Sequence, residues 1–129
     1  MVGDFYLTNP INQYNHEQHT ISNYRLGYYR KTEYKGETGI AYWQTLQMEG
    51  LRIRKVSYSK NYLADHWCKK GHIVHCLEGD FISELDNGTQ FKLSKGMTYV
   101  VSDDRSSHRS VTANGVELLI IDRDFLNNI

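Results

Sequence analysis

The sequence predicts an all-β domain of the sandwich or barrel class, and three observations carry that prediction. From Ile40 onward, short runs rich in β-branched and aromatic residues follow one another. Turn residues separate these runs at regular intervals, the spacing expected of strands that fold back on each other. The single proline, Pro10, interrupts none of them. A chain of 129 residues with 40% hydrophobic side chains is one domain's worth of protein, large enough to bury a core without disulfide staples.

The elements read in order as follows. Residues 1–39 form a polar N-terminal arm, rich in Asn, Gln and Tyr and without sustained periodicity, with room for one short strand or turn. Residues 40–129 form the β-barrel domain. Its expected strands are Ile40–Gln47, Leu51–Tyr58, Leu63–Cys68, His72–Glu78, Asp80–Leu85, Thr89–Leu93, Met97–Ser102, His108–Thr112 and Val116–Asp122. Asp86-Asn87-Gly88 predicts a tight hairpin, because Asn-Gly supplies the positive φ angles such a turn requires, and Ala113-Asn114-Gly115 repeats the device before the last strand. The terminal segment "RDFLNNI" reads as a tail or helical turn.

Charge and cysteine content narrow the function. Fifteen basic and fifteen acidic residues leave no net field to attract nucleic acid or an anionic membrane. The N-terminus lacks a signal-peptide pattern and no run approaches the ~20 apolar residues of a membrane span, so a cytoplasmic protein is the expectation. The two cysteines, Cys68 and Cys76, read as free thiols: an extended run from His72 would carry Cys76 about 13 Å from the turn near Cys68, beyond the ~7 Å Cα limit of a disulfide.

The chemistry concentrates in "ADHWCKKGHIVHCLEGDF", Ala64 to Phe81. Residues two apart on a strand share a face, so alternation predicts His66 and Cys68 pointing inward together, joined across the Lys69-Lys70-Gly71 turn by His72. His75 falls on the opposite face. His108, after the polar stretch "SDDRSS", is a further candidate. Imidazole and thiolate suit a transition metal such as zinc, iron or nickel, whereas calcium and magnesium want oxygen.

These spacings resemble the two cupin motifs. The first reads His-x-His, three or four residues, Glu, six residues, Gly; here His66, Cys68, His72 and Gly79 occupy those positions. The second reads Gly, five residues, Pro-x-Gly, two residues, His; Gly96 opens it, Ser102 replaces the proline, Asp104 replaces the second glycine, Ser107 holds the strict histidine position and His108 arrives one residue late. The run "YLADHWCKKGHIVHCLEGDF" with "GMTYVVSDDRSSHRS" is similar more narrowly to the small cupins named for a DHCW motif. The resemblance, spanning roughly Gly39 to Asp122, implies a single-domain cupin jelly roll, a double-sheet antiparallel barrel, with the metal ligands His66, Cys68, His72 and His108 inside it. Cys for His and His for Glu make that set softer than the usual cupin site.

Plainer readings stand beside these. Cys76 fits core filling, since cysteine behaves as a small apolar residue; Cys68 could be a ligand or a core thiol. Asp65 could orient a ligand imidazole or be a solvated turn charge, and Glu78 begins a turn. His16 and His19 in "NHEQHT" are three apart, not the four of a zinc-protease helix, and read as solvated. Arg52 and Arg54 share a face with Val56 and Tyr58, so an arginine could enter the barrel and clamp a carboxylate or phosphate, or lie exposed on an edge strand. Arg109 points opposite to His108. Arg54, Tyr58 and Tyr99 make up the expected substrate contacts. Ten tyrosines, concentrated in the first half, suit an interface, and a homodimer formed partly by the arm is expected.

Two functions follow. One is a metal-dependent enzyme, an isomerase or dioxygenase, acting on a small organic molecule through an open coordination position. The other is a non-catalytic cupin that binds or senses a small molecule, with a structural metal or none; four bound protein ligands would close the shell and favour it. No nucleophile triad and no phosphate-cradling glycine loop are evident.

Overall fold

A computed structural model describes residues 22–104 and 106–123. His16 and His19, the first 21 residues of the arm and the tail beyond Arg123 lie outside the described residues. Among the described residues, a 3-10 turn at Leu26–Tyr28 is followed by nine strands: β1 Thr32–Lys35, β2 Ile40–Met48, β3 Leu51–Tyr58, β4 Tyr62–Leu63, β5 His72–Leu85, β6 Gln90–Ser94, β7 Thr98–Val101, β8 His108–Thr112 and β9 Val116–Arg123.

Two antiparallel sheets share β5. Its first half pairs with β9 and β7, and beyond β9 the sheet continues through β3 and β2 to β1. Its second half pairs with β6 and β8, and β8 carries the short β4. The result is the double-sheet jelly roll expected from the sequence, with β1 adding residues 32–35 of the arm to one sheet's edge.

The expectation of separate strands at His72–Glu78 and Asp80–Leu85 is corrected: they form one 14-residue strand. Glu78 begins no turn. A register shift between Cys76 and Glu78 and a positive φ of 83° at Gly79 bend the chain from one sheet into the other without ending the ladder. A Cβ at Gly79 would stand 2.5 Å from the carbonyl oxygen of Gly115, so glycine alone fits this corner.

The strand expected at Leu63–Cys68 shrinks to Tyr62–Leu63. Ala64 still donates to the carbonyl of Ser110 at 3.0 Å. The chain then leaves the sheet in a bend, and it returns at Cys68 as an isolated bridge to His108. At the hairpin, Gly88 has a φ of 93° but Asn87 does not, and Gly88 donates to the carbonyl of Leu85. That is the three-residue loop whose last residue is left-handed, in place of the two-residue Asn-Gly turn. Gly115 is left-handed too, yet its turn joins β8 of one sheet to β9 of the other.

Inward alternation on the two sheets builds the core from Val56, Val74, Cys76, Phe81, Leu93, Val116, Leu118 and Ile120. Cys76 is fully buried among them, as expected, and burial pushes its thiol pKa up. His75 faces outward and shares a 2.7 Å hydrogen bond with the Thr98 hydroxyl. Among the described residues, no helix is long and apolar enough to cross a membrane.

Candidate metal centre

Three elements bring the site together. His72 opens β5 on the inward phase of an alternation that continues through Val74 and Cys76. His108 opens β8. Cys68 donates its N–H to the carbonyl of His108 at 2.7 Å and accepts from its N–H at 3.0 Å, a reciprocal antiparallel pair that sets the two side chains on one face. The loop before His72 is fastened by Asp103, whose carboxylate accepts from the Gly71 N–H at 2.5 Å, and by Asp104, whose N–H donates to the carbonyl of Lys69. Asp104 has a φ of 60°, a conformation that aspartate tolerates better than most residues. This is why it can stand where the second cupin motif has glycine.

One ligand-type atom from each of Cys68, His72 and His108 lies within 4.8 Å of the other two. His72 and His108 are buried, and their rings meet edge to face with centroids 5.3 Å apart. Both imidazoles are held through Nδ1. His72 Nδ1 hydrogen-bonds Asp122 Oδ1 at 2.5 Å, and His108 Nδ1 lies 3.0 Å from the Ser106 carbonyl, to which it donates. In the neutral imidazoles each Nε2 therefore carries the lone pair that faces the cluster.

His66 does not join them. Its strand ends at Leu63, so the alternation that would have aimed it inward never operates; its side chain is 74% exposed and shares a 2.6 Å hydrogen bond with Asp65. Asp65 is thus the partner of an exposed imidazole. The carboxylate that orients a buried one is Asp122, which the sequence reading passed over although it ends the inward series Val116, Leu118, Ile120, Asp122 of β9.

Electrostatics prepare the cluster for a cation. Burial raises the Cys68 thiol pKa, but the neighbouring imidazoles of His108 and His72 and the Lys70 backbone N–H outweigh it and bring the value down to about 5. The Lys70 N–H reaches Sγ at 3.4 Å. Burial works against a charge on His72, and its hydrogen bonds to Asp122 and Cys68 overcome this and raise its pKa. Asp122, also opposed by burial, is held down to about 2 by His72, Arg54 and Arg52.

The donor set fits a transition metal. At bond lengths of about 2.3 Å to sulfur and 2.0–2.1 Å to nitrogen, a tetrahedral angle separates the two donors by roughly 3.6 Å. Cys68 Sγ and His72 Nε2 are 3.6 Å apart. His108 Nε2 is buried with no hydrogen-bond partner, as a ligand nitrogen awaiting an ion would be. Three protein donors leave a tetrahedral ion one open position.

The cluster lies on the wall of a cavity of about 670 Å³, which is also lined by Arg54, Tyr58 and Tyr99. Strand β3 lies between β2 and β9, so Arg54 is not an edge charge; it is 4% exposed and stacks 4.2 Å over the Trp43 ring. Tyr58 stacks on Tyr62 with centroids 4.2 Å apart, and the Tyr99 hydroxyl donates to Ser83 Oγ at 3.4 Å. Arg109 is engaged by Glu84 at 2.8 Å and lies over Trp67. The geometry also aligns Cys68, His72 and Asp122 in the order thiol, imidazole, carboxylate, a row that no sequence motif disclosed.

Comparison with solved structures places this architecture. The protein EutQ of Clostridium difficile superposes with a TM-score of 0.67 over 80% of this chain and 86% of its own, at 12% identity. A cupin-like protein of Thermotoga maritima gives 0.64 over 75% and 80%, at 16% identity. The chain has the cupin fold. Ectoine synthase of P. lautus shares it at a TM-score of 0.54 and 18% identity, over 64% of this chain and 63% of that one. No protein-family model and no curated protein sequence matches the chain. In this cupin-fold chain the stretch that resembles the first motif contributes Cys68 and His72 to the cluster, and the stretch that resembles the second contributes His108, one residue beyond the strict spacing.

Proposed function

We propose that this cupin is a metal-dependent enzyme that binds zinc, iron or nickel through Cys68, His72 and His108 and acts on a small organic molecule in the adjoining cavity. The observation that carries the proposal is the convergence of Cys68, His72 and His108, whose donor atoms lie within 4.8 Å of one another, with the Nε2 of His108 buried and without a hydrogen-bond partner. A buried acceptor without a partner is costly, and a low-pKa thiol is poised to ligate a cation. Three donors rather than four favour catalysis over a closed structural site. A bound ion would supply Lewis acidity or oxygen activation at its open position. The reaction at such a site is an isomerisation or a dioxygenation. That another cupin-fold protein, from P. lautus, is named an ectoine synthase supports an enzyme in a barrel of this build.

A second reading rests on the Cys68–His72–Asp122 row, which has the order of nucleophile, base and orienting carboxylate. It leaves the His108 Nε2 unexplained.

Elemental analysis of protein purified without an affinity tag tests the proposal. Near-stoichiometric transition metal in the wild type, lost in His72→Ala and His108→Ala and retained in His66→Ala, is the expected result. Wild-type protein that is metal-free and cannot be reloaded, yet folded, would contradict it and leave the thiol reading.

A further inference from the structure

Asp122 is shared by His72, Arg52 and Arg54. Its Oδ1 is held by His72, and its Oδ2 takes Arg52 at 2.6 Å, so Arg54 reaches the same oxygen only at 3.4 Å. The Nε of Arg54 is buried without any hydrogen-bond partner. Two guanidinium groups share one carboxylate, and the deeper of the two is Arg54, 4% exposed on the cavity wall. Asp122 and Cys68 are near enough to act on its charge, but no acceptor among the described residues meets its Nε. A buried guanidinium in this condition is costly unless an anion completes its shell.

We propose that the ligand of this cavity is a small organic monocarboxylate, its carboxylate held by Arg54 and its body packed against the aromatic wall of Trp43, Tyr58, Phe81 and Tyr99. The inference deepens the reading of the same cavity given above. The unpartnered edge of the Arg54 guanidinium, a planar fork, matches the geometry of a carboxylate. The wall sets the rest of the molecule: aromatic and apolar surface around about 670 Å³ favours an organic body over a bare inorganic ion. Arg54 sits close enough to Cys68 for their charges to interact, so a carboxylate there would lie beside the cluster.

Calorimetric titration with benzoate, its neutral isostere benzamide and inorganic phosphate tests the inference. Wild-type protein, His108→Ala, Arg54→Met and Arg54→Lys are compared, each checked for cooperative unfolding. The expected result is that benzoate binds at least tenfold more tightly than benzamide or phosphate, that Arg54→Met removes this preference, and that His108→Ala keeps it. Binding lost in His108→Ala but kept in Arg54→Met would mean that the metal site alone holds the anion, overturning the role of Arg54. Equal affinity for benzoate and benzamide, tighter binding of phosphate, or no benzoate binding would overturn the substrate class. Should Arg54→Met fail to fold, the wild-type benzoate-to-benzamide ratio and Arg54→Lys still decide the question. The metal content of the wild type is measured separately, so failure of the metal reading leaves the anion result standing.

Discussion

Asp122 Oδ1 lies 2.5 Å from Nδ1 of His72, a buried carboxylate fixing the tautomer of a buried imidazole whose Nε2 is 3.6 Å from the Cys68 sulfur. The pair is the hinge between the scaffold and the chemistry. Asp122 closes the inward face of β9, and Arg52, directly across the ladder on β3, holds its other oxygen. Outer carboxylates of this kind orient a ligand imidazole and raise its basicity.

Asp122→Asn should therefore weaken metal binding roughly 10–100-fold without removing a ligand. Competition against a chromophoric chelator measures this. The same substitution strips two arginines and an imidazole of their anion, so the melting temperature should fall as well. Unchanged metal affinity in a folded Asp122→Asn protein would mean that His72 is not oriented for a metal.

Stability should carry the signature of the same carboxylate. The folded pKa of Asp122, about 2, lies below its ordinary value near 3.8. A depressed folded pKa contributes stability above the unfolded pKa and loses it as pH falls through the folded one. The contribution, roughly 2 kcal/mol, should be complete above about pH 5 and vanish progressively toward pH 2. Urea unfolding across that window, wild type against Asp122→Asn, should show the two curves converging at low pH.

Cys68 and Cys76 should separate chemically. In metal-free protein, Cys68 should alkylate with a pH midpoint near its pKa of about 5, well below the ordinary thiol value near 8.5. Cys76, fully buried with its pKa raised, should resist until unfolding. Peptide mass spectrometry after a timed iodoacetamide pulse distinguishes them. His72→Ala should move the Cys68 midpoint upward, and bound metal should protect it.

Gly79→Ala should be among the most damaging single changes in the barrel. The residue would need a φ of 83° with its Cβ 2.5 Å from a carbonyl oxygen, at the point where β5 passes between sheets. A loss on the order of 3 kcal/mol or more follows from strain together with disruption of both sheets. Thermal unfolding compared with Gly88→Ala, whose Cβ would meet no atom within 4 Å, separates backbone strain from the added steric clash.

Where alternation ran uninterrupted, residue order was enough to read the structure. His72, Val74 and Cys76 face inward and His75 outward because β5 is regular there, and β3 and β8 keep their expected bounds. Reading failed where local pattern gave way to long-range pairing. The stretch from Ala64 to Cys68 looks like a strand, but Cys68 pairs with His108, forty residues on, while the residues between bend outward and carry His66 away. Asp122 was hidden for a related reason: one carboxylate at the end of an apolar strand looks like the strand's exit to water. Only the placement of β9 between β3 and β5 buries it beside His72 and two arginines. The bend at Gly79 similarly looks like a turn in the sequence, since a glycine between two β runs signals either.

The most direct test of the metal centre is X-ray absorption spectroscopy of the protein loaded with one equivalent of zinc. The account predicts one sulfur near 2.3 Å and two imidazole nitrogens near 2.0–2.1 Å, with a further light-atom ligand that exchanges with solvent. The sulfur shell should vanish in Cys68→Ser, and His66→Ala should leave the spectrum unchanged. A spectrum without sulfur in the wild type, or one altered by His66→Ala, would contradict the assignment of Cys68, His72 and His108 as the metal-binding set.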